Sequence, residues 1–244
     1  MELKDKNILI TGGAIRIGRA ITTSLARGNA HVFCHYNSSE EAALELQSEI
    51  ERAGLKLDLI QADLRKLDNI ERMIDTVVQK GGSIDILVNN AAVFFRTPLG
   101  TVTEEEWDTL FDINLKNPFF CAQYAGTFMR QQGYGKIINI GDTSGIIPWP
   151  GFIPYGLTKS GIIAMTKGLA RTLAPEVQVN CINPGPVLLP EEYNSDERAR
   201  ALAATLLKRE GNPHDVAATV RFLIEGSDYI TGSIINVDGG RSIA

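Results

Sequence analysis

Tyr155 and Lys159 stand four residues apart in "PYGLTK", so a helix places both on one face. An ammonium beside a phenol favours the phenolate and lowers the tyrosine pKa toward the working range. Tyr155 then becomes a proton donor to an atom that receives hydride. Thirteen residues before the tyrosine, in "INIGDTSG", stands a carboxylate, Asp142. A tyrosine and lysine at this spacing are common on surface helices. The pair gains weight from the apolar strand "KIINI" before it and from the glycine-rich turn at the other end of the chain.

That turn reads Thr11-Gly12-Gly13-Ala14-Ile15-Arg16-Ile17-Gly18 and lies between a strand pattern and a helix pattern. Glycines there let backbone approach a pyrophosphate, and the helix N-terminus offers N–H groups and positive dipole to it. The second strand ends His35-Tyr36-Asn37-Ser38-Ser39, with no acidic residue to hold a ribose 2′-hydroxyl. Asn37, Ser38 and Ser39 can instead donate to a 2′-phosphate, with Arg16 supplying charge, so the reading is NADP(H). The two serines also suit helix N-capping before "EEAALELQ". Asp63 ends the third strand, where it serves either an adenine amino group or a turn.

These residues need a scaffold of strands, and the pattern supplies one. Strands are expected at 7–11, 31–35, 57–62, 84–89, 136–140, 177–182 and 233–237, with amphipathic helices near 17–28, 40–53, 67–80, 104–132, 155–173 and 213–225. This alternation predicts an α/β fold, a doubly wound Rossmann-type domain with a parallel sheet of about seven strands covered on both faces. Residues 1–244 form one domain with no linker or repeat. Residues 187–210 interrupt the alternation and are expected to cover the substrate, because ligands of open α/β sheets bind beyond the carboxyl ends of the strands.

The composition is that of a globular protein, 44% apolar and 22% charged, with a net charge of −5 and no basic run. Nucleic acid and membrane surfaces are therefore not expected partners. No apolar run spans a bilayer and no signal core opens the chain, so a cytoplasmic location is expected. Cys34, Cys121 and Cys181 sit in apolar stretches and read as buried free thiols, and no metal site is expected.

Taken in order, these motifs resemble the short-chain dehydrogenase/reductase family over essentially the whole chain. The turn is similar to its TGxxxGxG, "NNAA" at 89–92 to its NNAG, and Tyr155-Gly-Leu-Thr-Lys159 to its YxxxK. Pro184-Gly185-Pro186-Val187 resembles its loop beside the nicotinamide, and "YITGSIINVDGG" its last strand. The resemblance implies cofactor contacts at Gly12, Arg16, Ile17, Gly18, Asn37, Ser38, Ser39, Asp63, Leu64, Asn90, Ala91, Tyr155, Lys159, Pro184, Gly185 and Val187. It implies that Asn114 holds a water in the proton relay, and that the chain forms a homotetramer.

Two positions depart from the family pattern. Arg16 replaces the second glycine of the turn, and Asp142 replaces a serine whose hydroxyl donates to a carbonyl oxygen becoming an alkoxide. An ionised Asp142 repels that oxygen but suits an imine nitrogen, where a proton is useful. Both departures resemble the pteridine reductases and the dihydromonapterin or dihydrofolate reductases of short-chain type, which also carry an aromatic after NNA, here Phe94. Stacking a flat pterin on that ring adds roughly 0.5–1.5 kcal/mol beyond burial. The substrate contacts so implied are Arg16, Phe94, Asp142, Phe152 and Tyr155. Ala92 stands where some of these enzymes have a serine and removes a polar contact. Two alternatives stay open: a carbonyl reductase, such as a 3-oxoacyl thioester reductase using Ser144, and a non-catalytic NADP(H) sensor.

Overall fold

The computed structural model describes residues 1–189 and 193–244. Seven parallel strands, β1 (Asn7–Ile10), β2 (His31–Tyr36), β3 (Leu57–Gln61), β4 (Ile86–Asn89), β5 (Gly135–Ile140), β6 (Val177–Pro184) and β7 (Ile234–Val237), form one sheet in the order β3-β2-β1-β4-β5-β6-β7. The order reverses between β1 and β4, which opens a crevice beyond their carboxyl ends. Alternate strand residues feed two cores. Ile8, Ile10, Val32 and Cys34 join one core, while Leu9, Phe33 and Leu87 join the other. This is why the strands read as unbroken apolar runs.

Helices α1 (Arg16–Ala26), α2 (Glu40–Arg52) and α8 (Pro213–Glu225) cover one face, and α3 (Leu67–Gly81), α5 (Asn117–Gln131) and α6 (Ile153–Leu173) the other. The single helix expected over 104–132 is in fact three pieces: α4 (Glu104–Phe111), a π turn (Asp112–Lys116) and α5. Pro118 explains the break, because it has no N–H to return to the carbonyl of Asn114 four residues back. π turns of this kind often mark functional sites. The three cysteines are buried free thiols. Burial pushes Cys34 up to about 12 and Cys181 to about 11.

In the inserted segment, α7 (Ser195–Ala203) starts with a capping box on Asn194 and Glu197. Residues 190–192 of the expected cover lie outside the described residues. No helix among the described residues is long and apolar enough to cross a membrane.

Candidate active site

A cavity of about 800 Å³ lies at the crevice; the glycine-rich turn, the end of the second strand, the NNAA segment, the Asp142 and Tyr155–Lys159 segments and the Pro184-Gly185-Pro186 loop reach it, while the third-strand end, Asn114 and residues 229–240 do not. Its deep end is built by β5 and α6. Asp142 follows β5 and caps a short 3-10 turn (Thr143–Gly145), with Oδ1 accepting from the Ser144 N–H at 2.7 Å. Its Oδ2 accepts from Tyr155 Oη at 3.1 Å. Lys159, one turn along α6, donates from Nζ to the Ile140 carbonyl at 3.1 Å and stands 5.6 Å from the Tyr155 ring centre.

The electrostatics correct one expectation. Burial pushes the Asp142 carboxyl above its ordinary value, against the pull of the Ser144 N–H, Lys159 and Tyr155. Tyr155 is not lowered by Lys159. Burial first, then the charge and hydrogen bond of Asp142, hold its hydroxyl well above the ordinary phenol value. Burial lowers Lys159, opposed by Asp142. The pair thus holds a phenol and a carboxyl whose pKa values both lie above their ordinary ones.

Ser144 does not replace the missing serine. It is 1% exposed, its Oγ has no partner among the described residues, and it is off the cavity wall. Asn114 is also buried, and its amide is engaged at both ends by Val93: Nδ2 donates to the carbonyl at 2.9 Å and Oδ1 accepts from the N–H at 2.8 Å. Its side chain therefore holds the loop that carries Phe94.

The other half of the cavity begins at the β1–α1 turn. Gly12 adopts φ +61°, and a Cβ there would fall 2.9 Å from the Ala91 backbone. A Cβ on Gly18 would fall 2.0 Å from the Gly12 carbonyl. Arg16 has φ 52°, the left-handed region that a glycine would occupy without strain. Its guanidinium donates to the Leu188 carbonyl at 2.8 Å, so it bridges the turn to the inserted segment. The first turn of α1 has neither a side-chain cap nor an acidic residue, which leaves its N–H groups for an anion.

Gly12, Arg16, Ile17, Gly18, Asn37, Ser38, Ser39, Asn90, Ala91, Pro184 and Gly185 all line this half. Ser39 sits at the N-cap of α2 without a side-chain capping bond, so its hydroxyl is not engaged there. Asp63, Leu64 and Val187 are off the wall. The Asp63 carboxylate is held by Arg65 at 2.8 Å, and that bond lowers its pKa, so it closes a turn at the end of β3. Leu64 and Val187 are buried as core residues.

Aromatic rings form the remaining wall. Phe94 lies parallel to Phe152 at 4.7 Å and edge-on to Tyr155 at 4.9 Å. Phe152, 6% exposed, backs Phe94 and does not face it across a slot. Trp149, Tyr193, Arg96, Glu197, Arg200 and Arg241 also line the cavity, and sequence reasoning missed them. They come from loops and from α7, where no periodic signal exists; only Trp149, between two prolines' worth of irregular chain in "PWP", was conspicuous. His35 was missed too. It accepts from the Gly12 N–H through Nδ1 at 3.1 Å, and its Nε2 meets the Ala62 carbonyl at 3.0 Å. Burial lowers its pKa to about 4, so it acts as a neutral brace for the turn.

Comparison with known proteins places this geometry. The family model described as Enoyl-(Acyl carrier protein) reductase matches residues 13–242. The chain is 38% identical over 240 residues to the 3-oxoacyl-[acyl-carrier-protein] reductase FabG of Staphylococcus epidermidis, covering 97% of this chain and 98% of that one. It is 37% identical to FabG of Thermotoga maritima over the full length of both. Among solved structures, FolM Alternative dihydrofolate reductase 1 from Brucella suis, in complex with NADP, superposes with a TM-score of 0.92 at 32% identity, covering 100% of this chain and 97% of that one. A short-chain dehydrogenase/reductase of Serratia marcescens gives 0.93 at 30% identity, covering 99% of this chain and all of that one.

Proposed function

The chain belongs to the short-chain dehydrogenase/reductase family, and on that premise we propose that it is an NADPH-dependent reductase of the C=N bond of a pterin-type substrate. The observation that carries this reading is the buried Asp142–Tyr155 pair at 3.1 Å, where the family pattern has a serine. The cofactor half fits NADP(H): a glycine cradle, an uncapped helix N-terminus and no carboxylate among Asn37, Ser38 and Ser39. The similar Brucella suis structure is in complex with NADP.

When bound, NADPH supplies the hydride that the substrate carbon accepts. The chain supplies the proton. Tyr155 Oη passes one to the adjacent nitrogen and regains one from Asp142, whose raised pKa favours the acid form. The resulting carboxylate is stabilised by Lys159 and the Ser144 N–H. Phe94, 38% exposed and packed by Phe152 on one face, offers its other face to a flat ring. Arg16 stands at the junction of the two halves, and Leu188, Leu189, Tyr193 and α7 line the cavity there. The outer face of α5 and α6, with Phe119 40% exposed, is the surface that a homotetramer would use.

The identity to FabG proteins favours a second reading, reduction of a 3-oxoacyl thioester. NADPH oxidation with a dihydropterin and with acetoacetyl thioester separates the two. Turnover of the thioester alone would overturn the pterin reading.

A further inference from the structure

On a chain of net charge −5, the mouth of the cavity concentrates positive charge. Three arginines from three separate segments converge there: Arg96 from the loop after β4, Arg200 from α7 and Arg241 from the C-terminal turn. Glu197 is the carboxylate among them. Two of the guanidiniums lie over the aromatic wall, Arg96 at 5.4 Å from the Phe152 ring centre and Arg241 at 5.3 Å from that of Trp149. Their distance from the floor on which a flat ring would stack is thereby set.

Internal pairing leaves much of this charge uncompensated. Glu197 divides its carboxylate between the capping box of α7 and Arg96, which it meets at 2.6 Å. Arg241 donates to the Ala201 carbonyl at 3.3 Å, a neutral acceptor. The Arg200 guanidinium has no hydrogen bond or ion pair among the described residues; its carbonyl accepts from the Ala204 N–H in the helix. Among the described residues of the mouth, three cations therefore face one carboxylate. Burial raises the pKa of the Tyr193 hydroxyl, with Arg96 and Arg241 opposing and Glu197 and Asp142 reinforcing the shift.

We propose that Arg96, Arg200 and Arg241 form an anion subsite that selects substrates whose reacting head carries a negatively charged tail. The inference rests on the reductase reading and adds a specificity determinant to it. Guanidiniums suit this task because their planar fork meets carboxylate or phosphate oxygens two at a time. Two sources supply such a tail, a carboxylate-bearing side chain on a pteridine and the phosphate of a thioester arm.

The test has a kinetic and a binding arm, both on the intact chain with NADP(H). The kinetic arm compares dihydrofolate, with its glutamate tail, against dihydrobiopterin, whose side chain is neutral. Expected is a preference for the charged tail that falls about tenfold in Arg241→Gln and again in Arg200→Gln, with the loss in KM and steeper at low salt. In the binding arm, quenching of Trp149 fluorescence reports p-aminobenzoylglutamate and phosphopantetheine, each against its uncharged amide or dephosphorylated counterpart. Binding of the first assigns the carboxylate source, and binding of the second the phosphate source. A tail preference that is absent or unchanged in both variants, with neither fragment bound better than its neutral counterpart, overturns the subsite. If only acetoacetyl thioester is turned over, the pterin reading fails while the fragment arm still decides the subsite.

Discussion

Asp142→Asn isolates the proton from everything else the carboxyl does. The amide keeps the volume, and its oxygen still accepts the 2.7 Å bond from the Ser144 N–H. Its NH2 turns toward Tyr155 Oη across the 3.1 Å contact and cannot resupply a proton. General-acid groups contribute about 10²–10⁴-fold to rate, so the variant is expected to lose about 3–5 kcal/mol of transition-state stabilisation at about 1.4 kcal/mol per tenfold. NADPH oxidation with a dihydropterin, followed across pH, measures this. The wild-type rate falls as pH rises through the raised pKa of the pair, because the protonated form is the donor, and Asp142→Asn loses that limb. Stability gives an independent reading with a fixed sign. The folded pKa lies above the unfolded one, so the stabilising contribution of Asp142 is complete below the unfolded value and is lost as pH rises through the folded value. The melting temperature of Asp142→Asn therefore gains on wild type as pH rises through that window. A variant that keeps its rate within threefold and an unchanged pH profile would show that the proton comes from elsewhere.

Three further outcomes test the cofactor half. Asn37→Asp puts a carboxylate at the end of β2, where it repels a 2′-phosphate and accepts from a free 2′-hydroxyl; the NADPH-to-NADH affinity ratio should fall at least about tenfold, and cofactor titrations showing the same ratio would contradict the assignment. Gly18→Ala drives a Cβ to 2.0 Å from the Gly12 carbonyl, so it should cost about 1–3 kcal/mol of stability by overpacking and weaken NADPH binding, both read from melts with and without cofactor. For His35 the folded pKa is depressed from 6.5 to about 4, so its contribution is full above the unfolded value and is lost as pH falls through the folded one. Melts of wild type should therefore drop across that window, and His35→Gln should flatten the drop; parallel curves would refute the brace role.

The strands and five of the six expected helices were legible because burial on both faces writes long apolar runs and regular periods into the chain. The 104–132 helix was not, since a single Pro118 changes the hydrogen-bond ladder without disturbing the apolar pattern. At the site, Tyr155, Lys159 and Asp142 were legible because they lie on or beside regular elements at set spacings. The direction of the tyrosine shift was not. Burial drives it up first, and Asp142, bonded to the hydroxyl, adds to it.

By itself, the sequence determined the doubly wound sheet, the glycine cradle without an acidic ribose anchor, and the exchange of a serine for a carboxylate beside Tyr155. Those features are local, written in residue type and short spacing. Only the tertiary structure decided that Phe152 backs Phe94, that Asp63 closes a turn with Arg65, that His35 braces Gly12, and that three arginines meet at the cavity mouth. Apart from the local Asp63–Arg65 pair, each of those facts joins a loop or chain end to residues distant in sequence, and no period or motif records where such segments meet.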